Sequence, residues 1–383
     1  VSDVKTLLVK LVSFASISDV SNLPLIHFIR DYLAGYGISS RLSYNPDGTK
    51  ANLFATIGQG PGGIVLSGHT DVVPVAGQSW SSDPFQMVER DGKLFGRGTS
   101  DMKSFVALAL ALVPDMLRRP LAEPIHLAFT YEEEIGCFGA ERLLQDLAET
   151  PIRPRLAIIG EPTLLRVINA HKGVFVYRAQ FHGVPAHSSQ PQRGASAIMA
   201  AGRFLAHLAE QAEAARQRAP RENDFTPPWT SFNAGMIQGG NAMNIIPGET
   251  TLHWEFRPIP GEDTVALEAS IRAHIDDVAR PALQAEHPDA DITLDRLCAV
   301  PAFAPAPDSA AEKLVMAVTG QNRTGTVAFG TEAGMFQRAG IPSVICGPGS
   351  IDQAHQPDEF ISLEQLALGE EFLRKILERT RVR

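Results

Sequence analysis

Cysteine, basic clusters and long apolar runs are all scarce in this sequence. Its 383 residues include 3 cysteines, Cys137, Cys298 and Cys346. They are odd in number, share no C-x-x-C spacing and lie in or beside apolar segments, which argues against a disulfide framework and fits reduced thiols in a cytosol. The longest uninterrupted apolar run, residues 105–113, falls well short of the roughly 20 residues that span a bilayer. The N-terminal stretch shows no basic region leading into an apolar one, so the sequence reads as a soluble, cytoplasmic protein with no membrane partner. Lys and Arg (34) are outnumbered by Asp and Glu (43), giving a formal net charge of −9 without any basic run. That balance argues against nucleic acid as a partner and leaves small polar substrates open. What is present is ordinary globular composition, 44% apolar and 20% charged, in a length that suits two or three compact units.

The stretch 64–103, IVLSGHTDVVPVAGQSWSSDPFQMVERDGKLFGRGTSDMK, concentrates the chemistry. An apolar run delivers His69 and Asp71, and a glycine-bearing turn delivers Asp101. Residues two apart on a strand or its exit point to the same side. Asp71 is therefore expected to accept a hydrogen bond from the His69 ring nitrogen that does not face a metal. Alone, the pair also reads as satisfied polar residues, and Asp101 as a helix N-cap before the apolar helical stretch 105–113.

Taken in order, the chain opens with helical patterning in Val4, Leu7, Leu8, Leu11 and Val12, repeated over 25–33 until Gly35 and Gly37 stop it. Residues 52–57 read as a strand. The run 125–131 (IHLAFTY) ends in Glu132, Glu133 and Glu134. The run 155–160 (RLAIIG) is continuous rather than alternating, as for a strand buried on both faces of a parallel sheet, and ends in Glu161. Three apolar runs, alternating with helical segments, thus each end in a histidine or a carboxylate. Open α/β sheets bind ligands outside the carboxyl ends of their strands. A solvated charge after each strand is the bland alternative.

From about Gly173 the texture changes. Strands are expected over 173–183, 231–238, 250–257 and 292–297, with helices over 195–210 and 262–279. That β-α-β-β-α-β order matches the ferredoxin-like split unit, inserted between halves of the first domain. Residues 211–229, charged and proline-bearing, read as a surface excursion. After Pro301 the first texture returns, with a helix over 309–319, a buried strand over 343–346 and a helix from Leu363. Between the last two lies His355, in AHQPDEF.

HTDVVP, GRGTSDMK, EEIG, GEP and AHQPDEF in this order, around an insertion bearing GVPAHSS, NAMNIIPGE and EFRPIPG, carry a family resemblance. The sequence resembles the acetylornithine deacetylase, succinyl-diaminopimelate desuccinylase and glutamate carboxypeptidase family of co-catalytic zinc hydrolases. GTEAGMFQRAGIPSVICGPG and TYEEEIGCFGA look most like its acetylornithine deacetylase branch. The resemblance implies an α/β catalytic domain with a mixed, mostly parallel sheet covered by helices, interrupted by a ferredoxin-like α+β lid and dimerisation domain. Boundaries are expected at 1–173, 174–293 and 294–383.

The resemblance also implies roles. His69 and Glu161 would bind one metal ion, Glu134 and His355 the other, and Asp101 would bridge both. The expected cofactors are two zinc ions, with cobalt or manganese as alternatives for such a donor set. Glu133 aligns with the general base, Asp71 with the residue that orients His69, and Glu132 is left solvated or structural. A cis peptide precedes Met102 in relatives. His187, from the neighbouring subunit of a homodimer, would stabilise the oxyanion, while His182 is read as structural. Arg257, with Asn244 alongside, would hold the carboxylate of a small N-acylated amino acid. Glu332 would face its side-chain ammonium, against an alternative as a first-turn helix carboxylate. The expected reaction removes the acetyl group from N2-acetyl-L-ornithine, a step of arginine biosynthesis. Aminoacylase, desuccinylase or dipeptidase activity is the alternative within the family. A binding protein would be expected to lack a ligand or the base, and a two-metal phosphoesterase to show a phosphate-cradling loop.

Overall fold

The computed structural model describes residues 2–382. Helices α1 (Ser2–Val12) and α2 (Leu23–Ala34) precede strands β1 (Ser40–Tyr44), β2 (Ala51–Ile57) and β3 (Ile64–His69). Two short strands follow, β4 (Val88–Arg90) and β5 (Lys93–Phe95), then α3 (Lys103–Ala111) and α4 (Val113–Arg118). Next come β6 (Ile125–Thr130), α5 (Phe138–Ala148), β7 (Leu156–Pro162) and β8 (Ile168–His171). The inserted segment contributes β9 (Val174–His182), α6 (Ala197–Gln217), β10 (Ser231–Gly239), β11 (Glu249–Arg257), α7 (Thr264–His274), α8 (Arg280–Glu286) and β12 (Asp291–Val300). The chain continues through α9 (Ala310–Thr319), β13 (Gly325–Val327), α10 (Ala333–Arg338), β14 (Ser343–Gly347), β15 (Phe360–Ser362) and α11 (Leu363–Arg379). No helix among the described residues is long and apolar enough to cross a membrane.

The chain divides into two compact units. The first takes the residues up to Ala170, Phe303–Thr326 and those from Thr331 onward; the second takes His171–Ala302 with Val327–Gly330. In the first, a sheet runs in the order β1-β2-β6-β3-β7-β14-β8-β13. Its centre is parallel, β6 with β3, β3 with β7 and β7 with β14, and the flanking pairs β1 with β2, β2 with β6 and β14 with β8 are antiparallel. The apolar runs expected as central strands are buried at every position of β3, β6 and β7, with no polar face left for water. Helix α3 is buried from Lys103 to Leu110, as a helix that is apolar all round must be. The Lys103 ammonium donates to the Phe14 carbonyl at 2.8 Å. Gly160 in β7 lets α3 come this close, because a Cβ there would lie 2.0 Å from the Phe105 ring. The glycine thus brings the helix that follows Asp101 against the strand that carries Glu161.

The second unit has a four-stranded sheet in the order β10-β11-β9-β12, all three neighbouring pairs antiparallel, as expected of the split unit. Its core includes Tyr177, Phe181, Phe204, Trp254 and Phe256. Three expectations need correction. The closing boundary at 293 falls inside β12, which stays paired to β9 from Asp291 to Val300, so the inserted unit runs on to Ala302; it also opens at His171 rather than 174. Helix α6 continues to Gln217, because the Ala, Glu, Gln and Arg residues read as a charged excursion are strong helix formers. The helix expected over 262–279 continues through a π-helical turn, Ile275–Ala279, into α8, where Pro281 has no N–H to offer a regular ladder.

Candidate metal centre

His69, Asp101, Glu134, Glu161 and His355 converge in the first unit. His69 ends β3 and is buried, with Nε2 2.9 Å from Asp101 Oδ1 and 3.9 Å from Glu161 Oε1. Asp101 sits on the turn before α3, and the Asp101–Met102 peptide is cis, as the resemblance implied. His355 follows β14 and places Nε2 2.9 Å from Glu134 Oε2 and 3.4 Å from Asp101 Oδ2. Asp101 therefore has one carboxylate oxygen toward each histidine, the disposition of a bridging ligand.

The role expected of Asp71 is corrected in its atoms. Its main-chain carbonyl, not its carboxylate, accepts from His69 Nδ1 at 2.9 Å; the nearer carboxylate oxygen is 3.7 Å away. The carboxylate is occupied instead by the amides of Glu133 (3.1 Å) and Glu134 (3.3 Å) and by the Ser18 hydroxyl (2.7 Å). Asp71 thus fixes both the His69 ring and the turn that carries the two glutamates. Glu132, on the same turn with φ 55°, forms an ion pair with Lys50 and takes no part in the cluster.

The donor set fits divalent metal on three counts. A carbonyl only accepts, so His69 Nδ1 carries a proton; burial opposes a second one, yet the Asp101 carboxylate holds the ring's pKa well above its ordinary value, so the metal-free ring meets Asp101 with a proton on Nε2, the place a cation would take. Glu161 Oε1 is buried and has no hydrogen-bond donor among the described residues. Donor atoms of His69, Asp101 and Glu134 lie within 4.8 Å of one another, as do those of His69, Glu133 and Glu161. Charge agrees with geometry. Burial and the neighbouring carboxylates push Glu133 and Glu161 well above the ordinary range, and burial with Asp101 pushes Glu134 up to about 7. Asp101 and Glu134 hold His355 up at about 10. Burial opposes the ionisation of Asp101, yet His355 and His69 keep it below the usual carboxylate range. So many acidic groups in one buried place stay ionised together only with compensating positive charge, which a bound cation would supply.

Glu332 departs from expectation. It is 1% exposed and precedes α10, where its carboxylate accepts from Ser67 of β3 at 3.0 Å and from the Thr130 hydroxyl of β6. With both oxygens taken by buried hydroxyls, it is not an open acidic group awaiting an ammonium. The remaining candidates lie in the second unit. His187 is exposed, and its Nδ1 accepts from the Ser189 amide at 3.2 Å. A neutral ring therefore carries its proton on Nε2, as a donor. Asn244 is exposed nearby, its carbonyl accepting from the Ser188 amide at 3.0 Å. Arg257 ends β11 with Nε and Nη2 held by Glu255 at 2.9 and 3.2 Å, so two of its donors are already engaged. His182 pairs with Glu249 at 2.9 Å on the surface. Residues given no role from sequence include Ser18, Gln78, Arg97 and Glu359. Glu359 stood inside the AHQPDEF motif, but nothing local to it signals a partner some 260 residues away.

Residues 65–379 match the peptidase family M20/M25/M40. The chain belongs to this family. Among curated relatives, the acetylornithine deacetylase of Photorhabdus laumondii is 36% identical over 347 residues, covering 90% of this chain and 87% of that protein. The acetylornithine deacetylase of Pasteurella multocida is 34% identical over 365 residues, covering 94% and 91%. The M20 family metallo-carboxypeptidase Sso-CP2 of Sulfolobus solfataricus has the same fold, with a TM-score of 0.77 at 16% identity over 98% of each chain. This M20 chain is a hydrolase, and its cluster is a candidate dinuclear centre built from His69, Asp101, Glu134, Glu161 and His355.

Proposed function

We propose that the protein removes the acetyl group from N2-acetyl-L-ornithine, giving ornithine and acetate, in the cytoplasm as a step of arginine biosynthesis. The observation that carries this reading is a complete donor set in a chain 34–36% identical to two acetylornithine deacetylases over most of its length. His69 and Glu161 would hold one ion, Glu134 and His355 the other, and Asp101 both; zinc is the first choice, with cobalt or manganese as alternatives. Bound there, such ions would bring the pKa of a water toward neutrality and polarise the scissile carbonyl. Glu133 takes a proton from the attacking water and returns it to the departing nitrogen, while the water oxygen joins the acetyl carbon and the C–N bond breaks. Burial and neighbouring acids raise its pKa well above the ordinary carboxylate range, the direction that makes a carboxylate a stronger base. Asp71 holds the Glu133 amide and so keeps the base in place.

His187 Nε2 would donate to the oxyanion from the second copy in a homodimer. The edge strand β10 supports that assembly: it exposes Met236 and Ile237, and Met199 and Met243 of the same unit are exposed too. Arg257 would hold the substrate carboxylate through donors that Glu255 leaves free, beside Asn244. A second reading has one specific observation in its favour. The buried, fully engaged Glu332 offers nothing to a side-chain ammonium, which favours an aminoacylase acting on neutral acyl amino acids.

The deciding experiment assays metal-stripped protein, reloaded with zinc or cobalt, on N-acetylornithine, N-acetylmethionine, N-succinyl-diaminopimelate and dipeptides. Acetylornithine should give the highest kcat/KM. A tenfold preference for acetylmethionine or a dipeptide would overturn the deacetylase reading.

A further inference from the structure

A carboxylate from far along the chain grips the turn that carries Asp101. Glu359 is 1% exposed, and its Oε1 accepts the main-chain N–H groups of Ser100 (2.8 Å), Asp101 (3.0 Å) and Gly98 (3.1 Å). Amides converging on one point form an anion-binding concavity. Here the anion is part of the chain. Its Oε2 accepts from Arg97 Nη1 at 2.8 Å, and Arg97 is itself 1% exposed. Arg97 carries the connection onward. Its Nη1 donates to the Gln356 carbonyl at 3.3 Å and its Nη2 to Gln78 Oε1 at 2.6 Å, and Gln78 Nε2 donates to the His355 carbonyl at 2.9 Å.

His355 needs this support. Its side chain is 52% exposed and its backbone is left-handed at φ 63°, so burial does not fix it. One hydrogen-bonded network therefore reaches the backbone of two ligands, Asp101 and His355, that follow different elements. A buried ion pair is a poor way to stabilise a fold compared with apolar packing. Its distinctive contribution is direction: charge-assisted bonds fix two loops at a set separation.

We infer that Arg97 and Glu359 are positioning residues for the metal centre, setting Asp101 and His355 relative to each other, with Gln78 extending the grip to the His355 loop. The inference rests on the dinuclear reading of the site. Its test is cobalt(II) titration of metal-stripped full-length protein, followed by calorimetry and visible absorption. The unsubstituted protein should bind two ions. Glu359→Gln keeps an oxygen for the amides but removes the charge facing Arg97, and should weaken both ions by about 10- to 100-fold, because Asp101 serves both. Gln78→Ala leaves the bonds from Glu359 to the Asp101 turn in place and removes those to Arg97 and to the His355 carbonyl, so it should weaken one ion by about tenfold and the other less. Two ions at unchanged affinity in Glu359→Gln, with only the melting temperature lowered, would reduce the network to a fold support and overturn the inference. If Glu359→Gln does not fold, Gln78→Ala decides: no change at either ion, or equal loss at both, overturns it. Fewer than two ions in the unsubstituted protein would instead sink the dinuclear reading, an outcome visible before any variant is made.

Discussion

The carboxylate of Asp71 receives the main-chain amides of both Glu133 and Glu134, at 3.1 and 3.3 Å. Neighbouring glutamates with different assigned work, one a base and one a ligand, are thus held by a single anion. Glu133→Gln should lower kcat by roughly 10²-fold or more while two ions remain bound, the scale of a general base. Glu134→Gln should instead lose metal, measured by elemental analysis after dialysis. Metal lost from Glu133→Gln and kept by Glu134→Gln would exchange the two roles.

His187 belongs to the second unit and all five proposed metal ligands to the first. Inactive His187→Ala and Glu133→Gln proteins, mixed and reassembled, should regain part of the activity, since some dimers would contain one intact composite site. Subunit exchange shown by mass, with no activity recovered, would rule out action from the neighbouring copy.

Glu332 connects β3 and β6 through Ser67 and Thr130. Its replacement by Gln should therefore depress kcat/KM on N-acetylornithine and N-acetylmethionine alike, by about ten- to a hundredfold for a charged hydrogen bond lost beside the base. A loss confined to acetylornithine would restore the ammonium-binding role.

His207 and His274 stack with ring centroids 3.6 Å apart at 2° in the second unit. Burial pulls both below the ordinary histidine range; His274 adds to this at His207, and Glu210 opposes it at both. Their depressed values mean that the unfolded chain binds more protons once the pH falls below about 6.5, so stability drops from there downward and is unaffected by the pair above it. Urea midpoints of metal-stripped protein between pH 5 and 7.5 should fall with acid, and fall less in His207→Gln. Equal slopes would contradict the assignment.

Elements whose signal is local were legible in the sequence. The apolar runs of β3, β6 and β7 are legible from residue type alone, the roles of the motif histidines and acids only through the family resemblance, and the structure gathers those residues at one site. What escaped was set by tertiary contact. The Asp71 carboxylate turns to amides that a two-residue spacing cannot reveal, and Glu359 finds its partners across the whole first unit. The Glu332 environment depends on hydroxyls from two other strands. The closing boundary of the insertion was misplaced because β12 pairs along its full length with a strand more than a hundred residues earlier.

The insertion also imposes an order on synthesis. By the time Glu161 leaves the ribosome, His69, Asp101, Glu133 and Glu134 have all been made, yet β14, His355 and Glu359 still lie beyond the entire second unit. That unit is nearly contiguous and can close its own sheet first, as domains fold during translation. Meanwhile β7 waits without β14 beside it, and the acidic cluster waits without its second histidine. A site for the second proposed ion is thereby completed only when the last quarter of the chain arrives, whereas His69, Asp101 and Glu161 are all present before the second unit is made.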